Sequence, residues 1–239
     1  MAVSVDTVYQ KVLAFANKEQ RGYITPQEFN LFADQAQMEI FEQYFYDKEL
    51  FKRDQLGDRD ELLEQKRQIF SVNYGVITHG TPIPLDAHQI DYAYLHDSAT
   101  EHRTLVERVD PSEVVGIKSS SLLSNLSSVP VYYVYNNNIY FHPSNANQNS
   151  LLSLPSGGYT YQLALTREPV KPQWGYLVIN NKALHDSSAS KTTNFELHIS
   201  EESELVYKIL KFAGVAMKRD DIMRAGQGME MAKVQQEKQ

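Results

Sequence analysis

The strongest constraint on the fold lies in residues 130–143, which read PVYYVYNNNIYFHP. Two runs rich in β-branched and aromatic residues, a composition typical of strands, flank the asparagines at 136–138. Asparagine tolerates positive φ and bonds its own backbone, so this centre predicts a tight β-hairpin. Pro130 and Pro143 end the pairing because proline cannot donate to a strand ladder. Helical sequence precedes and follows this β region, which predicts an α+β fold.

The first 70 residues have helical periodicity. A short amphipathic helix is predicted from Val5, Val8, Val12, Leu13 and Phe15. A second helix begins at Thr25-Pro26-Gln27-Glu28, a capping box with proline in the first helical position. Its apolar face is predicted to contain Phe29, Phe32, Ala36, Ile40 and Tyr44. A third, charged helix is expected from Asp58 to Phe70.

Residues 71 to about 197 are predicted to be mostly β, as a small sandwich or open barrel. The strand candidates are Ser71–Ile77, Ile90–Leu95, Thr104–Arg108, Tyr132–Tyr135, Ile139–His142, Tyr159–Thr166 and Tyr176–Ile179. Asp110-Pro111-Ser112-Glu113 predicts a short helical turn. Residues 119–128 and 180–194 are rich in turn-forming polar residues and are predicted to be exposed loops, the second long enough to be a projecting arm.

The chain becomes helical again at Ser200-Glu201-Glu202-Ser203, which supplies a cap and an acidic first turn. One stripe of this helix contains Leu205, Ile209, Phe212 and Ala216, with Asp220 as a candidate extension. Gly226 and Gly228 weaken the helix, so the polar tail 229–239 is predicted to be disordered alone and ordered by a partner.

Matching apolar stripes at the two ends of the chain predict one helical core. It would contain Phe32, Ile40, Leu205, Ile209 and Phe212. The predicted architecture is a helical bundle formed by N- and C-terminal helices with an inserted, mainly antiparallel β domain. Its three parts are residues 1–70, the β domain 71–199, and a C-terminal helix and tail, 200–239, that packs with 1–70.

Composition narrows the function classes. The net charge of −7 argues against a dedicated nucleic-acid binder, although a negative surface lets DNA pass without sticking. With no cysteine there is no disulfide, thiolate nucleophile or cysteine-ligated metal. No apolar run approaches the ~18 residues that span a bilayer, and the amino terminus lacks signal-peptide features. We therefore expect synthesis in a cytoplasm and no membrane partner.

No residue cluster predicts chemistry. Residues 17–28 resemble an EF-hand loop, but Arg21 puts a cation where calcium needs an oxygen, and the capping box explains Thr25 and Glu28. The triplets His96-Asp97-Ser98 and His185-Asp186-Ser187 do not make a catalytic triad, whose members converge from separate elements. Phosphate-loop, nucleophile-elbow, zinc-helix and dinucleotide motifs are missing from the sequence. We expect no enzyme activity, cofactor or metal.

The candidate interaction residues are aromatic or sulphur-containing. Fifteen tyrosines are present, and tyrosine suits half-buried sheet positions and protein interfaces. Methionine adapts to irregular surfaces, which makes the C-terminal segment a candidate docking element. The predicted interface residues are Tyr132, Tyr135, Tyr140, Ile222, Met223, Met229, Met231 and Val234.

Several motifs occur in an order that resembles a known family. They are Thr81-Pro82-Ile83-Pro84 with Tyr92, Pro130-Val131-Tyr132-Tyr133-Val134-Tyr135, Ile139-Tyr140-Phe141-His142-Pro143, Tyr161-Gln162-Leu163-Ala164-Leu165, Arg167-Glu168-Pro169-Val170-Lys171-Pro172 and Ser200-Glu201-Glu202-Ser203-Glu204-Leu205. Together they look like the head-to-tail adaptor, or connector, proteins of tailed phages, of the tail tubular protein A type. The opening Thr7 to Phe45 is also similar to phage virion structural proteins. Residues 180–194 and the polar tail depart from the simplest pattern.

The resemblance implies a virion structural protein at the head–tail junction. Such a protein forms a ring, commonly of twelve copies, that joins the portal protein to the tail tube or nozzle protein. Genomic DNA passes through the ring during ejection without sequence-specific binding. Two alternatives from other classes stay open. One is a β-domain tail appendage that binds a receptor or carbohydrate through aromatics around Tyr132 to Tyr140, and the other is an enzyme with an unrecognised site.

Overall fold

The computed structural model describes residues 2–17, 24–54, 57–98, 101–119, 130–142, 158–180, 182–188, 190–216 and 220–237. Helices and strands are both abundant, so the fold is α+β, as the sequence predicts. The helices are α1 Val5–Asn17, α2 Pro26–Asp54, α3 Gly57–Gln68, α4 Pro111–Ser119, α5 Glu202–Ala216 and α6 Asp220–Glu237, with a 3-10 turn at Ile199–Glu201. The strands are β1 Ala2–Val3, β2 Ser71–Ile77, β3 Thr81–Pro82, β4 Ala87–Asp97, β5 Arg103–Arg108, β6 Val131–Tyr135, β7 Asn138–His142, β8 Tyr159–Arg167, β9 Tyr176–Ile179, β10 Lys182–His185 and β11 Phe195–His198.

The chain divides into two compact units. The terminal unit contains Met1–Ile69 and Pro169–Gln239, and the central unit contains Phe70–Glu168. The sequence reading extended the β domain to residue 199, whereas the central unit ends at Glu168. The difference arises because β11 pairs with β1 at the amino terminus, with Val3 opposite Phe195. Strand propensity identified these residues as β but carried no information about which unit they join.

The amino end of α2 has the predicted capping box. The Thr25 N–H donates to Glu28 Oε2 at 3.0 Å, and the Glu28 N–H donates to the Thr25 hydroxyl oxygen at 3.3 Å. The Thr25 hydroxyl also donates to Glu28 Oε2 at 2.7 Å, and this hydrogen bond lowers the pKa of Glu28. The box satisfies donors that the first helical turn leaves without partners.

The predicted core between α2 and α5 is present. Ile40, Leu205 and Ile209 are fully buried, whereas Phe32 and Phe212 are half-buried at its edge with ring centroids 6.5 Å apart. The rest of the α2 stripe is also buried, namely Phe29, Ala36 and Tyr44. The core therefore joins helices from the two ends of the chain within the terminal unit.

The apolar face of α1 differs from the prediction at one position. Val5, Val8 and Val12 are buried as expected, but Phe15 is 43% exposed. Tyr9 and Ala16 are buried instead, and they belong to the same helical face as the three valines. Phe15 lies beside that face because the i, i+3, i+4, i+7 and i+11 spacing from Val5 leads to Ala16.

The start of α5 also needs a correction. His198, rather than Ser200, caps the 3-10 turn that precedes the helix, and its ring accepts the Ser200 N–H. Glu201 is then buried and pairs with the Lys66 ammonium of α3 at 2.5 Å. One of the acidic residues that the sequence placed in the first turn of the helix, Glu201, therefore lies in the preceding turn and is the buried partner of a lysine.

The prediction of a disordered C-terminal tail is wrong, because residues 220–237 form helix α6. Gly226 packs directly on α5: a Cβ atom there would lie 3.0 Å from Lys211 N and 3.1 Å from Tyr207 O. Glycine weakens an isolated helix, but here its missing side chain lets two helix backbones approach. Packing thus outweighs helix propensity.

A buried lysine ties α6 to its neighbours. The Lys208 ammonium lies 2.8 Å from Glu230 of α6, 3.5 Å from Glu39 of α2 and 3.7 Å from Glu204 of α5. Burial opposes its charge, but the Glu230 hydrogen bond and the three carboxylates outweigh that cost and raise the pKa of Lys208. Lys211 pairs with the same Glu230 at 3.1 Å. These contacts hold α6 against α5 and α2.

The central unit is a curled seven-stranded sheet in the order β2-β8-β4-β5-β6-β7-β3. Its neighbours are antiparallel except for the β5–β6 pair. The end strands β2 and β3 are joined by residues 78–80 alone. In a flat sheet they would lie roughly 29 Å apart, whereas four Cα steps reach at most about 15 Å. The sheet must therefore curl until its two ends lie close together, and we call this curled sheet the barrel.

A contact between side chains of strands that are not neighbours agrees with this curling of the sheet. Phe141 of β7 and Tyr161 of β8 are not on neighbouring strands, yet their rings stack with centroids 4.1 Å apart. Burial raises the pKa of Tyr161 to about 12. The same interior contains Ile77, Ala93, Leu95, Val106, Tyr132, Ile139, Tyr159, Leu163 and Leu165. The strand order and the Phe141–Tyr161 contact fit both the small sandwich and the open barrel that the sequence predicts.

The hairpin predicted first is confirmed. Strands β6 and β7 pair up to Tyr135 opposite Asn138, so Asn136 and Asn137 form the two-residue turn. Their φ angles are 48° and 60°, the positive values that a type I′ turn requires. The helical turn predicted at Asp110 is helix α4, and there the Asp110 N–H donates to Glu113 Oε2 at 3.2 Å.

Candidate assembly surfaces

One candidate surface is the hairpin of β9 and β10 in the terminal unit. The strands pair from Tyr176 opposite His185 to Ile179 opposite Lys182, and Asn180 takes a positive φ of 50° at the turn. Within the described ranges these two strands pair only with each other. An isolated two-stranded hairpin is marginally stable in water. Its position therefore depends on how its base is held.

The base of the hairpin is held by Trp174. Its indole N–H donates to Asp6 Oδ1 at 2.9 Å, and its backbone N–H donates to Asn30 Oδ1 at 2.8 Å. The ring packs against Tyr9 with centroids 4.3 Å apart and stacks on His185 at 5.6 Å. Trp174 is only 2% exposed. These contacts fix the base of the hairpin to α1 and α2.

The side of the hairpin opposite to Tyr176 and His185 is apolar and exposed. Leu177 and Ile179 alternate on β9 and point to the same side as Leu184 on β10. Their side chains are 47%, 51% and 49% exposed. We call Leu177, Ile179 and Leu184 the hairpin face. A sheet face of this composition is ordinarily covered, because apolar area in contact with water is unfavourable.

The residues after β10 form a hydrogen-bonded loop. The Asp186 carboxylate accepts the Ser188 N–H at 3.1 Å and pairs with the Lys191 ammonium at 2.9 Å. The Lys191 bond, with help from Ser188, lowers the pKa of Asp186 to about 2. The predicted exposed loop 180–194 is therefore half of a hairpin followed by a braced turn, with residues 181 and 189 outside the described part of the chain.

A second apolar surface lies on the outside of the barrel. Val76 of β2, Tyr92 of β4 and Leu105 of β5 are 63%, 50% and 68% exposed. The register places Val76, Gln162, Tyr94 and Leu105 in one row across four strands. We call Val76, Tyr92 and Leu105, with the row between them, the barrel face.

Polar contacts hold the centre of the barrel face. The Tyr94 hydroxyl donates to Gln162 Oε1 at 2.7 Å and accepts from Asn73 Nδ2 at 3.0 Å. The Arg103 guanidinium lies 5.1 Å from the Tyr94 ring centroid. These partners fix the Tyr94 ring, which is buried among the exposed side chains of the barrel face.

The predicted interface residues fall into different places. Tyr132 is buried in the barrel and is a core residue, because its position on β6 points inward. Tyr135 is 64% exposed beside the turn, and Tyr140 stacks on Tyr133 with centroids 5.2 Å apart. On α6, Met229 and Met231 are exposed. The side chains of Ile222, Met223 and Val234 lie outside the described part of the molecule. The two sets belong to different units.

The two His-Asp-Ser triplets lie in different units of the chain. His96 pairs with Glu101 at 3.1 Å in the central unit, whereas His185 stacks on Trp174 in the terminal unit. Among the described residues, no three His, Cys, Asp or Glu side chains form a group that would hold a metal ion. Residues 18–23 of the calcium-loop pattern lie outside the described ranges. No described helix is long and apolar enough to cross a membrane.

Sequence reasoning missed both apolar faces. For the hairpin, the signal was the alternation in Leu177 to His185 across Asn180, which the polar composition of 180–194 concealed. For the barrel, exposure on a β surface depends on which face turns inward, and strand propensity does not give that. The chain matches no protein-family model, and it matches no curated protein sequence.

Proposed function

We propose that this chain is a virion structural protein that forms a ring between the portal and the tail of a tailed phage and lines the DNA channel. Its architecture in this proposal is a helical bundle made from both ends of the chain with an inserted, mainly antiparallel β domain. The proposal rests on the ordered resemblance to head-to-tail adaptors. In the structure, the motifs that carry this resemblance lie in β3, β4, β6, β7 and β8 and at the start of α5.

The observation that carries the proposal furthest is the pair of exposed apolar β surfaces. A ring subunit contacts a neighbour on each side, so it needs two docking surfaces of different shape. The hairpin face and the barrel face are such a pair, on separate units of one chain. The negative net charge fits a channel wall past which DNA slides, because it repels phosphate.

Reconstitution tests the proposal. The purified chain is mixed with the portal protein and with the tail tube or nozzle protein of the same virion, and the mixture is imaged by negative-stain electron microscopy. We expect rings, of twelve copies on the family pattern, seated between portal and tail protein. A chain that stays apart from both proteins while they remain competent to form particles would refute the adaptor role.

One observation favours the tail-appendage alternative. Tyr133 and Tyr140 stack on adjacent strands, His79 packs edge-on to Tyr140 with centroids 5.1 Å apart, and Tyr135 is exposed nearby. Aromatic rings at a surface are suited to stacking against a sugar. Saturable binding on a glycan array, lost in Tyr140→Ala and accompanied by a trimeric mass, would support this function over the ring.

A further inference from the structure

We propose that α6 is a releasable helix: the charge of Glu230 keeps it docked on α5, and loss of that charge releases it while the rest of the terminal unit stays folded. We call Glu230 of α6, together with Lys208 and Lys211 of α5, the latch. The inference concerns the terminal unit alone and does not depend on the adaptor role.

The latch consists of one carboxylate that bridges two lysines. Glu230 Oε1 lies 2.8 Å from the Lys208 ammonium, and Glu230 Oε2 lies 3.1 Å from the Lys211 ammonium. Each oxygen of the carboxylate therefore binds a different lysine of α5. Hydrogen bonds between charged groups are roughly twice as strong as those between neutral groups. Removing this single charge thus weakens two contacts between α6 and α5 at once.

The burial of Lys208 makes the loss of Glu230 costly. Lys208 is 5% exposed, and the carboxylates of Glu39 and Glu204 lie farther from its ammonium group than that of Glu230, at 3.5 and 3.7 Å. Removing one partner of a buried ion pair is strongly destabilising, because the remaining charge is poorly compensated. Movement of α6 away from α5 relieves this cost, because it admits water to the ammonium group.

Helix α6 can leave without opening the helical core. It is the last described element of the chain and takes part in no described strand pairing, so its release displaces no later element. Ile40, Leu205 and Ile209, which belong to that core, lie on α2 and α5. Among the α6 side chains that the structure describes, only Gly226 is buried. Terminal elements with few buried apolar contacts are those that open locally while the remainder stays folded.

The charges of the latch set the pH range in which α6 is docked. Burial opposes the charge of Glu230, but the hydrogen bonds and charges of Lys208 and Lys211 outweigh it and lower the pKa of Glu230. Its contribution to docking is therefore complete above pH 4.5 and is lost as the pH falls through the lowered pKa. Burial also opposes the charge of Lys208, but the three carboxylates around it raise its pKa above 10.5, so its contribution is lost only as the pH rises beyond that value. The latch is therefore closed at neutral pH and opens in acid.

Distance measurements between two spin labels test the latch, because the chain contains no cysteine and only engineered positions become labelled. The test uses the full chain with Met231→Cys on α6 and Leu31→Cys on α2, at positions that are 66% and 71% exposed. Double electron–electron resonance gives the distance between the labels. The fluorescence of the single tryptophan, Trp174, reports the fold of the terminal unit independently, because its side chain is buried against α1.

At neutral pH the labelled parent chain should show one narrow distance distribution. Glu230→Gln should broaden this distribution and shift it to longer distances, while the Trp174 emission stays unchanged. When the parent chain is acidified, the narrow distribution should be lost before the Trp174 emission changes. Glu202→Gln is the matched control, because Glu202 pairs with Lys11 of α1 and its side chain is 23% exposed, against 18% for Glu230. The control should keep the narrow distribution.

Three results would overturn the latch. A narrow distribution that persists in Glu230→Gln would mean that this carboxylate does not keep α6 docked. A broad distribution in the parent chain at neutral pH would mean that α6 is not docked there. If the distance and the Trp174 emission changed together, in acid or in Glu230→Gln, α6 would belong to the same cooperative unit as the core and would not be released separately.

Discussion

The contact between Gly226 of α6 and the backbone of α5 predicts opposite effects for two glycines of α6. At Gly226 an added Cβ would lie 3.0 to 3.2 Å from the backbone of α5, and backbone atoms cannot turn aside as a side chain would. At Gly228 nothing lies within 4 Å of the added atom. Replacing each glycine by alanine therefore makes the same chemical change with and without a steric conflict.

The magnitudes follow from two opposing effects. Alanine in place of glycine favours a helix by about 0.8–1.0 kcal/mol. One methyl group forced into a packed contact costs about 1–3 kcal/mol. Gly228→Ala should raise the free energy of unfolding by nearly 1 kcal/mol, and Gly226→Ala should lower it by up to about 2 kcal/mol. The difference between the variants, about 1–3 kcal/mol, isolates the contact because the propensity gain cancels.

Urea unfolding followed by far-ultraviolet circular dichroism measures both variants against the parent chain. Equal slopes with urea concentration would show that the change lies in stability rather than in the surface exposed on unfolding. If both alanine variants gained the same stability, residues 220–237 would not pack on α5. If neither variant changed the free energy of unfolding, the original expectation of a tail that is disordered in the free chain would be restored.

Further predictions concern the cap, the braced turn and the helical core. Thr25→Ala should lower the free energy of unfolding by about 0.5–2 kcal/mol, measured in urea, because it removes both hydrogen bonds of the Thr25 hydroxyl. The Asp186 carboxyl should titrate near pH 2 by carbon-detected NMR, and Lys191→Met should move it toward 3.8. Since its folded pKa is depressed, the stability it contributes is present above pH 3.8 and is lost as the pH falls toward 2. Ile209→Ala should cost about 2–5 kcal/mol, and Phe212→Ala less, because the Phe212 ring is only half-buried; equal losses would contradict the burial described for them.

The local signals in the sequence predicted the elements well. The asparagines at 136 and 137, the capping box at Thr25 and the apolar stripe of α2 each depend on neighbours within a few residues. Because such features depend on the local order of residues, they can be predicted from the sequence pattern. Strand β2 was predicted at its observed bounds, Ser71–Ile77, for the same reason.

The larger errors concern contacts between distant residues. Gly226 and Gly228 indicated a broken helix because propensity does not include the backbone of α5 at Lys211. Trp174 gave no sign that it would bond Asp6, 168 positions away, and so the hairpin beyond it was taken for part of the β domain. Tyr132 was placed at an interface because alternation alone does not say which side of a strand faces inward.

The division of the chain has a consequence for the order in which it folds during synthesis. The barrel comes from one uninterrupted stretch, Phe70–Glu168, so all of it has been synthesised before Pro169–Gln239 is made. The amino-terminal helices emerge first, yet β1 pairs with β11 and the core of α2 is completed by α5. Their apolar stripes therefore stay uncovered until α5 has been translated. A pause or truncation late in translation would leave a folded barrel attached to exposed helices, which is the species that chaperones and proteases recognise.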